Sequence, residues 1–276
     1  MTTPLLLSDW MLALASVGAG VVFAAGAYAV RALSPSGAVA GGALAACLVG
    51  IGGAVWMAPA LTFFVLSSAL SKMPHDARPR AGAGEAGSAR TAVQVFANGG
   101  VAWGLMLVWG HLPEMGTEVH RVLYVAGCGA FAAAAADTWA TEVGTRVATP
   151  PRSIVTGAPV PVGTSGGVSL GGTLGGVLGA ASVGGAVGAV GATEAMVRLG
   201  LIVTAAGVAG MLADSLAGAT VQAQYIDPIA DRPVDRPPTP GAVPARGWRG
   251  LTNDAINIIG TLAGATGAAS LWLLLG

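Results

Sequence analysis

The chain has 276 residues, of which 54% are hydrophobic and only 9% are charged. Soluble domains carry about 25% charged residues, so this composition, with a mean hydropathy of +0.71, indicates an integral membrane protein. The net charge of zero excludes a nucleic-acid-binding protein of the usual basic kind. The 44 glycines lie mainly within apolar runs, where they allow helix backbones to approach closely.

Eight apolar segments have the length and hydropathy of membrane spans, which predicts a single all-α domain, residues 1–276, built as a transmembrane helix bundle. The segments cover residues 10–30, 37–53, 55–71, 91–110, 120–143, 166–191, 196–222 and 255–275. The second and third are separated only by a glycine-rich step, so they form either two short spans or a re-entrant pair. The second alternative reduces the count to seven.

The basic residues predict the orientation. With the loop after the first span in the cytoplasm, the cytoplasmic loops are 31–36, 72–90, 144–165 and 223–254. These loops hold 11 of the 13 Lys and Arg residues, leaving Arg121 and Arg198 on the other side. The positive-inside rule therefore predicts a protein of the plasma (inner) membrane with both termini outside. Loops 72–90 and 223–254 are rich in Gly, Pro and charged residues, which predicts flexible connections.

Two acidic motifs stand out against the apolar background. The fifth segment ends with Asp137-Thr138-Trp139-Ala140-Thr141-Glu142, and a weaker copy, Asp214-Ser215-Leu216-Ala217, lies near the end of the seventh. Ionisable groups inside a membrane are costly and usually functional. The copies predict an internal repeat, an arrangement that often sets paired sites about a pseudo-symmetry axis.

Other polar residues fall at the same predicted depth, in the cytoplasmic half. They are Gln94 and Asn98 in the fourth span, Thr141 in the fifth, Thr164 and Ser165 before the sixth, Ser215 and Gln222 in the seventh, and Asn253 and Asn257 in the eighth. Five helices thus bring acids, amides and hydroxyls together, which predicts one site facing the cytoplasm.

Carboxylates grouped near phosphates suit Mg²⁺, which binds a few acidic oxygens together with substrate phosphates. Asp137, Glu142 and Asp214 are therefore the predicted metal ligands and catalytic residues. The alternative for any single acid is an ion pair with a loop arginine or a helix cap.

The segment Gly163-Thr164-Ser165-Gly166-Gly167 is expected to open the sixth helix, where free N–H groups and the helix dipole favour phosphate. Thr164, Ser165, Gly166 and Gly167 are the predicted contacts, and a capped helix start is the alternative. From Gly167 onward, glycine recurs at every fourth position, which predicts close helix packing.

The phosphate-binding loop of P-loop proteins is absent, because the only lysine, Lys72, has no glycine loop before it. If a nucleotide binds, its site is of another kind. Lys72 and Arg90 are the predicted cationic partners of phosphates, with an ordinary positive loop as the alternative.

The ordered motifs resemble a membrane family once described as domain of unknown function 92, which includes transmembrane protein 19 and the plant and cyanobacterial phytyl-phosphate kinases. The motifs are Arg90-Thr91-x-x-Gln94-Val95-x-x-Asn98-Gly99-Gly100, Ala136-Asp137-Thr138-Trp139-Ala140-Thr141-Glu142-x-Gly144, Gly163-Thr164-Ser165-Gly166-Gly167-Val168-Ser169 and Asp214-Ser215-x-x-Gly218-Ala219-x-x-Gln222. Asn253-Asp254-x-x-Asn257 fits the family's polar start of the last span, and the resemblance covers roughly residues 31 to 275.

The resemblance implies transfer of a phosphoryl group from a nucleoside triphosphate to a phytyl, geranylgeranyl or farnesyl monophosphate, giving the diphosphate. Distant similarity to dolichol and phytol kinases and to CDP-diacylglycerol synthases favours CTP as the donor. Phosphoryl transfer asks mainly for positioning and charge neutralisation, and Glu142 is the expected base if one is needed.

The main alternative is a lipid-phosphate transporter or flippase, which predicts polar residues through the outer half as well. Membrane lipids are expected partners under either function, and a homo-oligomer is left open.

Overall fold

The structure is a computed structural model that describes residues 3–73, 89–113, 117–147, 149–191, 193–229 and 232–276. The helices are α1 (Thr3–Ala29), α2 (Pro35–Cys47) continued by a π-helical turn (Leu48–Gly52), α3 (Gly53–Lys72), α4 (Ala92–His111), α5 (Glu118–Gly144), α6 (Leu170–Gly191), α7 (Glu194–Thr220) and α8 (Asn253–Leu275). Two short antiparallel hairpins pair β1 (Arg152–Ser153) with β2 (Gly167–Val168) and β3 (Tyr225–Asp227) with β4 (Arg232–Val234).

Within the described residues, 7 helical runs are long and apolar enough to cross a membrane. This confirms the predicted polytopic helical bundle. One of the 7 is the 38-residue run Pro35–Lys72, which holds both segments whose status the sequence left open.

That run folds back on itself at Gly53, whose φ of +62° breaks the helix. Near its start, Ser36 Oγ accepts a hydrogen bond from Ala92 N, at the first residue of α4, at 3.3 Å. At the turn, Ile51 packs directly against Gly110 near the other end of α4. α2 with its π-helical turn, and α3, are therefore two antiparallel legs, each as long as α4.

The described parts of the predicted cytoplasmic loops meet at one end of the bundle, which we call the loop end and define by residues 30–34, 145–147, 149–169, 221–229 and 232–252. Lys72 Nζ donates to the carbonyl of Val30, which joins the ends of α3 and α1. Arg146 Nη2 donates to Leu70 O at 3.0 Å and to Met73 O at 3.1 Å, which joins α5 to α3. The side of the membrane that this end faces stays a prediction.

The described residues of the loop 223–254 fold against the end of α7 through backbone hydrogen bonds, and the flexibility of this loop stays a prediction. Gln224 N donates to Arg246 O at 2.9 Å, and Trp248 N donates to Val221 O at 3.0 Å. Gly247, with φ of +77°, lies so close to α7 that an added Cβ would stand 1.9 Å from Gln222 O. The sequence pattern missed this because turn residues also mark tight folded loops. Most of the other loop, residues 74–88, lies outside the described residues.

α5 is the central helix of the bundle. Its run of alanine and glycine from Ala126 to Ala136 is buried, and helices pack around it on several sides. α6 packs on α5 through glycine: an added Cβ at Gly176 would lie 3.1 Å from Ala136 O, and one at Gly179 would lie 2.7 Å from Ala135 O. The glycine spacing in α6 therefore serves helix packing, as predicted.

This contact gives a stability prediction. Gly179→Ala is expected to lower the thermal midpoint of the detergent-solubilised protein, with a loss of about 1–3 kcal/mol, because the new methyl group meets backbone that has no room to move. Gly185→Ala on the same helix is the matched control, since its Cβ enters open space. Equal midpoints for the two variants would show that the α5–α6 contact is looser than described.

Candidate functional site

Asp137 and Asp214 face each other where α5, α7 and α8 meet. The helices approach through small residues: an added Cβ at Gly210 would lie 2.5 Å from Ala133 Cβ and 2.7 Å from Gly260 O. The two carboxyl groups stand within hydrogen-bonding reach of each other. Each lies about two helical turns before the end of its helix, roughly 10 Å from the loop end. The aspartates of the two similar sequence motifs are thus neighbours in the folded protein.

The pair borders a small cavity, here called the acid-pair cavity, of about 10 Å³. This volume suffices for about one water molecule or small ion. Its lining comes from four helices and consists of Asn98, Ala133, Ala134, Asp137, Gly210, Asp214, Asn257, Gly260 and Thr261.

Two residues of α8 contact the Asp214 side chain. With its amide nitrogen turned toward the carboxylate, Asn257 donates to Asp214 Oδ2 at 3.3 Å and to Asn253 O at 3.2 Å. One turn further along, Gly260 leaves room for the aspartate, because an added Cβ would lie 3.1 Å from Asp214 Oδ2. The amide of Asn257 therefore orients the Asp214 carboxylate, and Gly260 leaves the space that the carboxylate occupies.

The donor set of this cavity fits a hard cation. Its polar side chains offer carboxylate, amide and hydroxyl oxygens, the ligand type that Mg²⁺ prefers. Two carboxylates at this depth need either a cation or a shared proton between them, since like charges in low dielectric repel strongly. The carboxylates of Asp137 and Asp214 are therefore chemically suitable as Mg²⁺ ligands.

Glu142 is not part of this group. Its carboxylate accepts from Arg146 Nη1 at 2.6 Å in a mostly buried ion pair. Five residues separate it from Asp137, which turns it to another face of α5 at about 100° per residue. Among the described residues, no group of three or more His, Cys, Asp or Glu side chains is placed to hold a metal. The expected three-carboxylate site is thus corrected to a pair, and the ion-pair alternative holds for Glu142.

Arg90 lies beside the start of α4, held by its backbone: Arg90 N donates to Ala32 O, and Ser34 N donates to Arg90 O, both at 3.0 Å. Its Nη1 donates to Ser68 Oγ at 3.3 Å. Burial lowers the pKa of the guanidinium, while the charge of Glu142 opposes that shift. An arginine remains charged in proteins, so Arg90 provides a half-buried positive charge.

Gln94 and Asn98 follow Arg90 at successive turns of one face of α4. Gln94 Oε1 accepts from Thr91 N at 2.9 Å and forms a capping box, so its amide oxygen has a structural role. Asn98 Nδ2 donates to Gln94 O at 3.0 Å. Asn98 also lines the acid-pair cavity, which connects this face of α4 to the two aspartates.

A second polar group lies at the loop end, and we call it the glycine-loop cluster. Its members are Thr164, Ser165, Gly166, Gln222, Asp235 and Arg246. Arg246 Nη2 donates to Gly218 O at 3.0 Å and to Ser165 O at 3.5 Å. Ser165 Oγ donates to Asp235 Oδ1 at 3.4 Å.

Three buried polar atoms of this cluster have no hydrogen-bond partner among the described residues: Thr164 Oγ1, Gln222 Nε2 and Arg246 Nε. The Gln222 side chain is only 1% exposed. Buried polar groups are almost always satisfied, and one without a partner needs an explanation such as a ligand or ion. A hydroxyl, an amide and a guanidinium N–H can all donate to phosphate oxygens.

The position of the glycine segment is corrected by the structure. α6 begins at Leu170, where Ser169 Oγ accepts from Gly172 N at 3.1 Å, and Gly167 belongs to strand β2. Gly163 and Gly166 have φ of +82° and +77°, so the segment forms tight turns before the helix. The helix dipole is therefore not what favours an anion here.

One face of α7 joins the acid pair to the glycine-loop cluster. Asp214 and Gly218 are four residues apart and share that face, with about 6 Å of rise between them. Gln222 follows two residues beyond the end of α7, and its Oε1 would lie 3.4 Å from a Cβ added at Gly218. The same added Cβ would lie 3.2 Å from Gly166 N. The loop thus packs directly on the helix one turn above Asp214.

The remaining predicted residues lie outside both groups or are not drawn into them by a described contact. Lys72 is exposed and bonds the end of α1, Thr141 is exposed, and Ser215 is half-buried beside Asp214. Asn253 contributes a carbonyl to Asn257 and has an exposed side chain.

Four residues near these sites were not predicted: Thr261, Gly260, Asp235 and Arg246. Gly260 and Thr261 follow Asn257 by three and four residues, and this helical spacing was the signal that could have found them. Asp235 and Arg246 were counted only as loop charges. Nothing in their local pattern predicts that the loop folds back on α7.

Asp235 gives a pH prediction for the loop. Burial raises the pKa of its carboxyl group, while Ser165 and Arg246 oppose the shift. Folding therefore favours the protonated form, and the loop loses stability as pH rises from the ordinary aspartate value through the raised one. Hydrogen-exchange protection factors of the β3–β4 amides are expected to fall across that window. Asp235→Asn should remove the pH dependence, and Glu194→Gln should retain it; persistence in Asp235→Asn contradicts the assignment.

Fold and site together define a polytopic integral membrane protein with a half-buried carboxylate pair beneath a polar loop. The profile of the family described as integral membrane protein DUF92 matches residues 18–265, and the chain belongs to that family. It is 29% identical over 220 residues to Protein PGR of Arabidopsis thaliana, across 73% of this chain and 76% of the relative. No solved structure is a significant match.

Proposed function

We propose that the protein is a membrane-embedded isoprenyl-monophosphate kinase, a phosphotransferase that uses a nucleoside triphosphate to make a prenyl diphosphate. The observation that carries the proposal is the half-buried Asp137–Asp214 pair, which lies below a loop with three unpartnered buried polar atoms. Phosphoryl transfer requires groups that position the phosphates and groups that neutralise their charge. Hydrogen-bond donors in the loop could position the phosphates, and the acids below them could hold the neutralising metal ion. The resemblance to phytyl-phosphate kinases, and membership of the same family, support the choice of substrate class.

The donor phosphates belong at the glycine-loop cluster. Thr164 Oγ1, Gln222 Nε2 and Arg246 Nε would donate to them. The terminal phosphate would then lie between this cluster and Asp214. Asp137 and Asp214 would hold Mg²⁺, whose charge neutralises the donor phosphates. CTP is the donor we favour, from the distant similarity to CTP-dependent lipid kinases.

The acceptor approaches from α4. Its phosphate would be bound by Arg90 and Asn98, because Arg90 supplies a half-buried positive charge and Asn98 borders the acid pair. An oxygen of the acceptor phosphate forms the new bond to the terminal phosphorus of the donor. The bond from that phosphorus to the bridging oxygen breaks, and the nucleoside diphosphate leaves with the electron pair. The acceptor is already an anion, so a strong general base is unnecessary and Glu142 is not needed in that role.

The acid-pair cavity holds only about one water molecule in this structure. Donor binding therefore requires the glycine-loop cluster to move away from α7, and the hydrogen bonds of Arg246 to Gly218 and Ser165 are the contacts that would open. Because nucleoside triphosphates are cytoplasmic, we place the loop end in the cytoplasm, at the plasma membrane, with both termini outside.

The test is incubation of the purified protein with Mg²⁺, each of the four nucleoside triphosphates, and farnesyl, geranylgeranyl or phytyl monophosphate. Formation of the matching prenyl diphosphate, detected by mass spectrometry, is expected for at least one pair, with CTP the best donor. Movement of the lipid phosphate across proteoliposomes without any diphosphate would support the transporter alternative and overturn the kinase.

A further inference from the structure

A second cavity lies between α1, α2, α3, α4 and α5. Its volume is about 60 Å³, and we call it the apolar cavity. Its apolar lining includes Phe23, Leu44, Ala60, Phe64, Val95 and Phe131. Its polar lining is confined to Arg90, Gln94 and Asn98, on one face of α4.

We propose that this cavity binds the first isoprene unit of the acceptor, next to its phosphate, inside the protein rather than in the bilayer. This inference rests on the proposed function and names the part of the substrate that the protein recognises. A volume of 60 Å³ accommodates roughly four to six water-sized groups, which is close to one branched isoprene unit. The rest of the tail extends past Leu61, which lines the cavity and is 38% exposed on the outer surface of α3.

Charge complementarity fixes the direction in which the lipid binds. Arg90 is the positive charge on the cavity wall, and its guanidinium offers several N–H donors in a geometry that matches phosphate oxygens. Asn98 borders this cavity and the acid-pair cavity alike. A lipid with its tail among the phenylalanines and its phosphate against α4 therefore presents that phosphate to Asp137 and Asp214.

Enclosure of the first isoprene unit makes the protein sensitive to branching. Rings and branched side chains around a cavity of this size favour a group that fills it, since unfilled space loses dispersion contacts. A linear alkyl monophosphate of equal chain length fills it less completely. Prenyl monophosphates are therefore expected to bind about tenfold more tightly than linear ones, a typical effect of a methyl-sized difference in an apolar pocket.

The experiment compares Val95→Phe with Val93→Phe, two residues apart on α4. Val95 lines the apolar cavity, whereas Val93 is 60% exposed on the outer surface. Binding of geranylgeranyl monophosphate is measured by thermal shift and titration of the intact, detergent-solubilised protein. Val95→Phe is expected to weaken binding at least tenfold with the affinity for CTP unchanged, and Val93→Phe to bind as the wild type does.

A second pair of variants tests the same inference in case Val95→Phe does not fold. Gly99→Ala adds one methyl group 3.5 Å from Leu44 Cδ2, an ordinary contact on the cavity wall, whereas Gly104→Ala on the same helix enters open space. Weaker lipid binding in Gly99→Ala alone supports the inference.

Wild-type kinase activity together with equal lipid binding in both members of each pair overturns the inference and leaves the function standing. Selective lipid binding without diphosphate formation overturns the function and leaves the inference standing. Absence of both lipid binding and product in the wild type overturns both.

Discussion

Asp137→Asn and Asp214→Asn are each expected to lower kcat by about 10²–10³-fold or more, the effect of removing one preorganised electrostatic group from a buried site. The two acids face each other, so loss of either charge would remove one of the two carboxylates proposed to hold Mg²⁺ beside the donor phosphates. Because they act as a unit, the double variant should be little worse than either single one. Initial rates at saturating donor and lipid give the comparison.

The control for these variants is Glu194→Gln, at the opposite end of the helix that carries Asp214, where the side chain is exposed. It is expected to retain full activity. Both Asn variants should fold, since Asn keeps the size of Asp and removes a buried charge whose burial is costly. Full activity in either Asn variant would remove that residue from the site.

Arg90→Ala is expected to raise the KM for the prenyl monophosphate by about 10–100-fold, the range of a charge-assisted hydrogen bond of roughly 1.5–3 kcal/mol. The KM for the donor should change little, because the donor site proposed above lies on α7 and the loops. Arg90→Lys should recover part of the affinity, since it keeps the charge and loses the forked donor geometry.

Arg121→Ala serves as the control for Arg90, because Arg121 is exposed beside the first turn of α5 and pairs only weakly with Glu118 at 3.4 Å. It should leave both KM values unchanged. An equal rise in the KM of donor and lipid for Arg90→Ala, without rescue by Lys, would indicate a structural role through the side-chain hydrogen bond to Ser68.

The helices of this protein could be predicted from the sequence because each span must satisfy its own backbone in lipid and must be long enough to cross it. The sequence left open how the second and third segments are joined at Gly52-Gly53, and the chain turns at Gly53. The glycine spacing of α6 predicted close packing for the same physical reason: small residues let backbones touch.

The pairing of Asp137 with Asp214 was predictable from the repeated motif, because matching positions in a duplicated helix tend to face a common centre. The position of Glu142 outside this pair could not be predicted in the same way. Its depth suggested the same site, but depth does not specify the face of the helix. Arg146, one turn later, was the residue that decided it, through an ion pair at 2.6 Å.

The glycine-loop cluster shows the limit of local patterns. Thr164 and Ser165 were found through their glycine-rich segment, although the helix begins later, at Leu170. Arg246 and Asp235 come from a loop about 70 to 80 residues further on, and the hydrogen bonds that place them join distant parts of the chain. Such contacts depend on the fold as a whole.

The most direct test of the central claim follows the terminal phosphate itself. Purified wild-type protein, Asp137→Asn and Glu194→Gln are incubated with γ-labelled CTP and geranylgeranyl monophosphate, and the lipid and nucleotide products are separated. We expect labelled geranylgeranyl diphosphate and an equal amount of CDP from the wild type and from Glu194→Gln, and almost none from Asp137→Asn. Labelled lipid in equal amount from all three proteins, or from none of them with any donor and acceptor, would contradict it.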